Sequence, residues 1–525
     1  MKSNRYFRDL YVCDNLPVLR SLPDNTIDLI YLDPPFNSKK EYSAPTATKA
    51  EGQKFDDTWR WDSLNTRWLG EIDRKNVALS HVIQAGRATQ GDGTAAYLTM
   101  MGIRLIEMER ILKPTGSIYL HCDDAANSYL KACMDAVFGH ENFKNEIIWR
   151  RFTAHSDAKR FGRITDTILF YTKSSKYTWN PETISTPLSS IQLKKKFTQK
   201  DSSRGLYRSG DLTGRGASKG ESGKPWRGFD PTKNQRHWSI PLTGTYAKWI
   251  EENIIPNYRK IKSLHKRLEA LYNADMIILP EKGKRKLPGL KRYAASDLGI
   301  RPQNLILDPI GFTNFNKRGR AKGDEYTGWA TQKPLELIRP LIKVSSNPGD
   351  LVLDPFCGCA TACVAAELEQ RQWIGIDLCV QAETITKYRL DESVSTDLEA
   401  RTKGVKINVI KQEPKPYVPT EKGGLITLPG TYPTQENINK LYGNQRGDCP
   451  GCGNHYRVKD MHIDLITSKS KGGGDEIENS QLLCGHCNST KGTRTMDNLW
   501  TILVSKNVIN SEDAERLKKK WSSKT

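Results

Sequence analysis

A chain of 525 residues exceeds the span of one hydrophobic core, so two to four domains are expected. No run of 18 apolar residues occurs and the N-terminus MKSNRYFRDLYVCDNLP lacks the apolar block of a signal peptide, so neither a membrane partner nor export is expected, and the cytoplasm is the expected location. A formal net charge of +20, from 80 Lys+Arg against 60 Asp+Glu, points to a polyanionic partner, nucleic acid first.

The first 174 residues alternate strand and helix signals. IDLIYL (Ile27 to Leu32) is a short apolar run typical of a buried parallel strand, and it ends at DPPF. Leu98, Met101, Leu105, Met108 and Leu112 recur at helical spacing, and KPTG (Lys113 to Gly116) stops that helix. SIYLHCD and DTILFYTK (Asp166 to Lys173) read as two further strands. From about Ser175 to Tyr326 the apolar periodicity weakens. Between Asn180 and Ala330, 29 Lys+Arg stand against 14 Asp+Glu, with aromatics interleaved. The α/β texture returns at Thr331, where LVLDPFCGCATACVAAELEQRQWIGIDL reads as strand, tight turn, helix, strand. The expected divisions are 1–174, 175–330, 331–410, a Pro- and Gly-rich linker at 411–438, a compact metal-type module at 439–500 and a helical tail at 501–525.

Two turns carry the chemistry. In DPPF, two prolines stiffen the chain, so the Asp33 carboxylate and the Pro34 carbonyl become acceptors with little freedom, Pro35 completes the turn, and Phe36 offers a flat face. Such a set suits a flipped base carrying an exocyclic amine. In DPFCGCATA, small residues let a ligand approach the backbone, and Asp377 closes the next strand as an acid that binds ribose hydroxyls would.

Together these motifs resemble the beta-class amino methyltransferases of DNA. In that family the catalytic motif comes first, a target-recognition region lies in the middle, and the S-adenosylmethionine motif comes late. The likeness runs from about Tyr6 to Tyr388 and includes FDDTWRW, ILKPTGSIYLHCDD, NEIIWRR, TQKPLELI and SSNPGD. It implies an α/β, Rossmann-like methyltransferase sheet with an inserted basic target-recognition region. It implies that Asp33 and the Pro34 carbonyl accept from the target amine and that Phe36 stacks on the base. Asp354, Phe356 and Gly358 would shape the S-adenosylmethionine pocket, Asp377 would hold the ribose, Asp14 would lie near the adenine ring and Lys333 near the methionine end. DPP at this site favours adenine N6 as acceptor, with cytosine N4 the alternative. Ala360 stands where the family often has glycine; helical backbone is expected there, which alanine tolerates. The implied partner is double-stranded DNA, with a homodimer left open.

Eleven cysteines, seven of them scattered from Cys13 to Cys379, suit a reducing compartment. The other four, Cys449, Cys452, Cys484 and Cys487, form two C-x-x-C pairs 31 residues apart, a set suited to one tetrahedral zinc; redox thiols are the alternative. The stretch around them resembles the HNH (ββα-metal) nucleases. The likeness makes Asp464 and Asn488 ligands of a catalytic magnesium or manganese ion and Asn479 the brace of the intervening loop. Leu465 stands at the general-base position and takes no proton. His462 lies three residues earlier, on the opposite face of a regular strand. The expected role is therefore DNA binding or structure, and the rival is a bifunctional restriction-modification enzyme whose tail cuts.

Overall fold

The structure, a computed structural model, describes residues 6–37, 41–44, 48, 50–51, 54–61, 64–152, 159–280, 287–308, 326–329, 331–397, 405–417 and 434–522. The basic run Lys282 to Lys286 and residues 418–433 of the expected linker lie outside these. The chain forms two compact units, one from Met1–Asn180 with Gln303–Thr525 and one from Pro181–Pro302. Among the described residues no helix is long and apolar enough to cross a membrane.

The first unit is built on a nine-stranded mixed sheet. Its strands in chain order are β1 (Arg8–Val12), β2 (Ile27–Leu32), β3 (Leu112–Cys122), β4 (Phe143–Arg150), β5 (Thr165–Thr172), β6 (Leu305–Ile306), β7 (Leu351–Asp354), β8 (Gln372–Asp377) and β9 (Asn408–Ile410). Their spatial order is β6-β4-β5-β3-β2-β7-β8-β1-β9, with β5 antiparallel to its two neighbours. Period-2 alternation sends side chains to both faces. Ile27, Ile30 and Leu32 pack with helices α1 (Asn15–Ser21), α2 (Arg67–Lys75), α3 (Val77–Gln90) and α4 (Asp92–Ile111). Leu29 and Tyr31 pack on the opposite side with Leu337, Ile338 and the helix α5 (Thr361–Leu368). Helices on both faces explain why the strands read as apolar runs.

KPTG does not lie between helix and strand. Helix α4 ends at Ile111, and Leu112 already pairs with Ile27 while Ser117 pairs with Leu29, so Lys113 to Gly116 form a bulge inside β3.

Strand order places the two sequence motifs together. Leu29 and Ile30 of β2 pair in parallel with Val352 and Leu353 of β7, so DPPF and DPFC leave the same edge side by side although 321 positions separate Asp33 from Asp354. The sheet changes direction of growth here, the position where open α/β sheets hold ligands.

The second unit has its own core, including Leu212, Trp226, Trp238, Tyr258, Leu271 and Tyr293. A four-stranded antiparallel sheet (277–278, 289–293, 205–211, 199–201) anchors it. Lys291 is held there between Asp201 and Asp275, at 3.1 and 2.8 Å.

The tail module does not stand apart from the first unit. Its helix α6 (Gln435–Asn444) begins inside the expected linker and packs on α2, and Leu441, Tyr442, Leu482 and Leu499 join the core cluster of α2, α3 and α4. Strands β10 (Met461–Leu465) and β11 (Ser480–Cys484) pair antiparallel and lead into helix α7 (Gly485–Lys491), a ββα unit.

Candidate active site and metal centre

A cavity of about 570 Å³ opens at the edge shared by β2 and β7. Asp14, Asp33, Pro34, Pro35, Phe36, Lys333, Phe356, Gly358 and Asp377 all line it, so the structure brings together nine positions scattered over the sequence.

The catalytic-type turn is fixed from three sides. The amides of Phe36 and Asn37 donate to the Asp57 carboxylate at 3.2 and 2.8 Å. The Phe36 ring lies nearly parallel to the buried His121 ring, centroids 6.2 Å apart. Lys333 Nζ donates to Asp33 Oδ2 in a short ion pair. That contact places Lys333 beside the catalytic-type carboxylate, within the same cavity as the cofactor-type residues. The other oxygen, Asp33 Oδ1, is buried and accepts no hydrogen bond. An orphaned buried carboxylate oxygen is costly unless a partner completes it.

Below the turn runs a buried polar chain. Tyr31 Oη lies 3.0 Å from His121 Nδ1, and His121 Nε2 lies 3.2 Å from Asp166 Oδ2. Burial and the nearby Lys333 charge push the His121 pKa down, which keeps the imidazole neutral.

The cofactor-type turn is held by its own acids. Asp377 Oδ2 accepts from the Gly358 amide at 2.7 Å and Oδ1 from the Cys379 amide at 2.8 Å. Burial raises the pKa of this carboxyl. Gly358 has φ of +50°, and a Cβ there would stand 3.0 Å from the Trp329 indole, so glycine keeps this wall open. Asp14 caps α1 by accepting from the Leu16 amide at 2.7 Å and pairs with buried Arg104 at 2.9 Å. Asn15 Nδ2 donates to the Pro355 carbonyl at 2.6 Å and ties the start of α1 to the second turn.

Two expectations are corrected. Asp354 does not line the cavity: it is buried beneath the turn, accepts from the Phe356 amide at 3.2 Å, and burial pushes its pKa well up. Ala360 is not helical. It sits at φ +59° and ψ +35° as the residue before α5, a left-handed conformation that costs an alanine about 1–2 kcal/mol. The turn needs that conformation to swing from β7 into the helix, which explains the family's glycine. Asn15, Asp57, Arg104, His121 and Trp329 were missed by sequence reasoning. A lone arginine inside the apolar stripe of α4 was a legible signal for Arg104.

In the tail, the Sγ atoms of Cys449, Cys452, Cys484 and Cys487 lie within 4.8 Å of one another and all four residues are buried. A tetrahedral zinc with bonds of about 2.3 Å requires sulfurs roughly 3.8 Å apart, so the donor set fits. The Cys484 amide lies 3.3 Å from Cys449 Sγ and the Cys487 amide 3.4 Å from Cys484 Sγ, contacts that stabilise thiolates. Asn479 braces the loop after β10, with Thr467 and Gly474 carbonyls 3.0 and 2.8 Å from its Nδ2.

The expected divalent-cation pair is a different matter. Asp464 Oδ2 accepts from Gln481 Nε2 at 2.7 Å and pairs with Lys491 Nζ at 3.0 Å, and the same ammonium donates to the Leu465 carbonyl at 2.7 Å. Lys491 is fully buried, so a second cation on Asp464 would have to displace it. As placed, these residues do not fit a divalent ion. Strand β10 pairs with β11 in unbroken register, so no bulge turns His462 to the Leu465 face.

A DNA methylase family profile for N6 and N4 enzymes matches residues 27–387, and an HNH endonuclease profile matches 449–494. The type II methyltransferase M.EcaI of Enterobacter cloacae is 31% identical over 56% of this chain and 57% of its own length. The type III restriction-modification enzyme StyLTI Mod subunit of Salmonella typhimurium is 26% identical over 69% of this chain and 50% of its own length. The chain thus spans about half the length of these curated relatives. Among solved structures, the Thermus thermophilus protein TTHA0409 in complex with S-adenosyl-L-methionine aligns over 77% of this chain and 98% of its own, at 15% identity and a TM-score of 0.33. With well over half of the sequence inside one family profile, and with both of its turns converging on one cavity, the chain belongs to the N6/N4 DNA methylase family and carries an HNH domain at its C-terminal side.

Proposed function

We propose that the chain transfers a methyl group from S-adenosylmethionine to the exocyclic amine of a flipped DNA base, adenine N6. The observation that carries this reading is Asp33, a residue of the cavity wall: one oxygen is fixed by Lys333, and the other is buried and unpartnered. S-adenosylmethionine, when bound, supplies an electrophilic methyl group; Phe356, Gly358, Asp377 and Asp14 would hold it. Asp33 Oδ1 and the Pro34 carbonyl accept the two amine N–H bonds, which orients the nitrogen lone pair. Phe36, backed by His121, receives the base face. Positioning of this kind supplies much of the rate in such transfers. The DPP tripeptide favours adenine over cytosine through the family likeness. The basic second unit lies within the span expected for target recognition, where Lys and Arg neutralise phosphates and a few polar side chains read base edges.

Long-read sequencing of DNA from a host expressing the protein tests the reading. The expected result is N6-methyladenine at one sequence motif. N4-methylcytosine alone would move the acceptor to cytosine, and unmodified DNA would overturn the reading.

The tail is proposed as a zinc-held DNA-binding or structural module without cleavage. Hydrolysis needs a base near the attacking water, and Leu465 offers only methyl groups. Supercoiled plasmid is expected to survive incubation with the protein in magnesium or manganese. Cutting that disappears in His462→Ala would instead assign the base to His462.

A further inference from the structure

The catalytic edge of the sheet carries one feature the methyl transfer leaves unused. Strand β5 runs antiparallel to β3 with Thr167 opposite Cys122, and β4 antiparallel to β5 with Arg150 opposite Thr165. The end of β4 and the start of β5 therefore lie at the same edge as DPPF. The first residue of the connection between them, Arg151, lines that cavity. Its stem is closed: the amides of Arg151 and Phe152 donate to the Ile164 carbonyl at 2.7 and 3.1 Å. Arg163 is tied to Asp124 at 3.0 Å, next to Asp123 on the cavity wall. Two residues before this anchor stands Phe161, 99% exposed, more than any other large apolar side chain among the described residues.

A single exposed ring is ordinary on a protein surface. Three observations set this one apart. It stands on an anchored stem. The stem is at the edge where the substrate base must enter. From Arg150 to Arg163 the sequence carries five cations against one carboxylate, a local basic excess suited to phosphate, with Arg150, Arg151 and Arg163 paired to Asp308, Asp166 and Asp124.

We propose that Phe161 enters the DNA stack at the gap left by the flipped base, an inference that rests on the flipped-base reading above. A base that leaves a duplex uncovers the π faces of its neighbours, and an aromatic ring between them restores stacking contact. The flanking cations hold the backbone on either side. Phe161 acts on the flipping equilibrium and touches neither the methyl donor nor the amine, so it is a positioning residue. Being exposed, it contributes nothing to the fold, and its truncation leaves the protein folded.

The test compares wild type, Phe161→Ala and Phe161→Trp on two short duplexes carrying the mapped motif. In one duplex the target base is paired; in the other it is mismatched. Phe161→Ala is expected to lose about 5- to 100-fold in kcat/KM on the paired duplex, the range that corresponds to one stacking contact. The mismatched duplex is expected to restore most of that loss, because an unpaired base costs less to flip. Phe161→Trp is expected to keep activity on both, and S-adenosylmethionine affinity stays unchanged throughout. With 2-aminopurine at the target position, Phe161→Ala is expected to show a smaller rise in fluorescence on binding. An equal loss on both duplexes, or no loss on either, overturns the proposal. If wild type methylates neither duplex, the methyl-transfer reading fails and this proposal falls with it.

Discussion

Asp33→Ala is expected to lower methyl transfer by about 10²- to 10³-fold while S-adenosylmethionine affinity changes less than about twofold, the loss typical when one preorganised polar partner of a reacting group is removed. The division follows from placement. Asp33 lines the cavity and carries a buried, unpartnered oxygen, whereas the Asp377 carboxylate is bonded to the Gly358 and Cys379 amides on the cofactor-type wall. Removing Asp33 also takes away the partner of the Lys333 ion pair, a charge effect separate from the lost acceptor. Asp33→Asn separates the two contributions. It keeps the shape and one acceptor but not the negative charge that pairs with Lys333. Asp377→Ala is expected to do the reverse of Asp33→Ala: it unpairs the Gly358 amide and weakens cofactor affinity first. Calorimetric titration with S-adenosylmethionine, run beside incorporation of labelled methyl groups, reads both quantities. Equal loss of affinity in Asp33→Ala and Asp377→Ala would contradict the assignment.

The site was legible in sequence where chemistry sits in short motifs. DPPF and DPFCGC name their own residues, and family order told which wall each forms. What the sequence withheld is what depends on strand neighbours. Lys333 reaches Asp33 across 300 positions, and His121 meets Asp166 because β3 and β5 are adjacent. Asp354 was misassigned because a D-P turn looks the same whether its carboxylate faces a ligand or caps its own backbone. Ala360 was misread because helix signals start one residue later, and the entry to a helix after a tight turn demands a left-handed residue that propensity does not announce. The tail's attachment was the largest omission. A Pro- and Gly-rich stretch reads as a linker, yet the module beyond it packs on helices more than 350 positions earlier.

Loss of zinc is therefore expected to disable methyl transfer as well as the tail. The candidate ligand Cys449 follows Asp448, whose carboxylate pairs with Arg87 of α3 and with Lys520, each at 3.0 Å. The hydrogen bonds from His455 and Arg87 outweigh its burial and hold this carboxyl well below the usual range. On the other side of the module, Asp73 of α2 is wholly buried and accepts from the Val458 amide and from Ser80 Oγ, each at 3.0 Å. The backbones of α2 and α6 touch. A Cβ on Gly70 would come within 2.8 Å of Asn439 Cα, and one on Gly443 would overlap the Thr66 carbonyl. Structural zinc contributes about 10–16 kcal/mol to the folding of small finger peptides, as much as the net stability of a whole domain. Without it the module cannot hold its half of this interface. Asp73 would then lose the Val458 amide that it accepts from across the interface. The Cys449→Ser, Cys484→Ser double variant, or the intact protein stripped with a thiol reagent and chelator, is expected to lose at least about tenfold in methyl transfer. Hydrogen exchange across residues 67–111 is expected to quicken in step with zinc release. Full methyl transfer with unchanged protection of that segment after the metal has left would show the two halves to be independent. A folded but inactive protein, with protection intact, would place the effect on DNA binding by the tail instead of on the shared core.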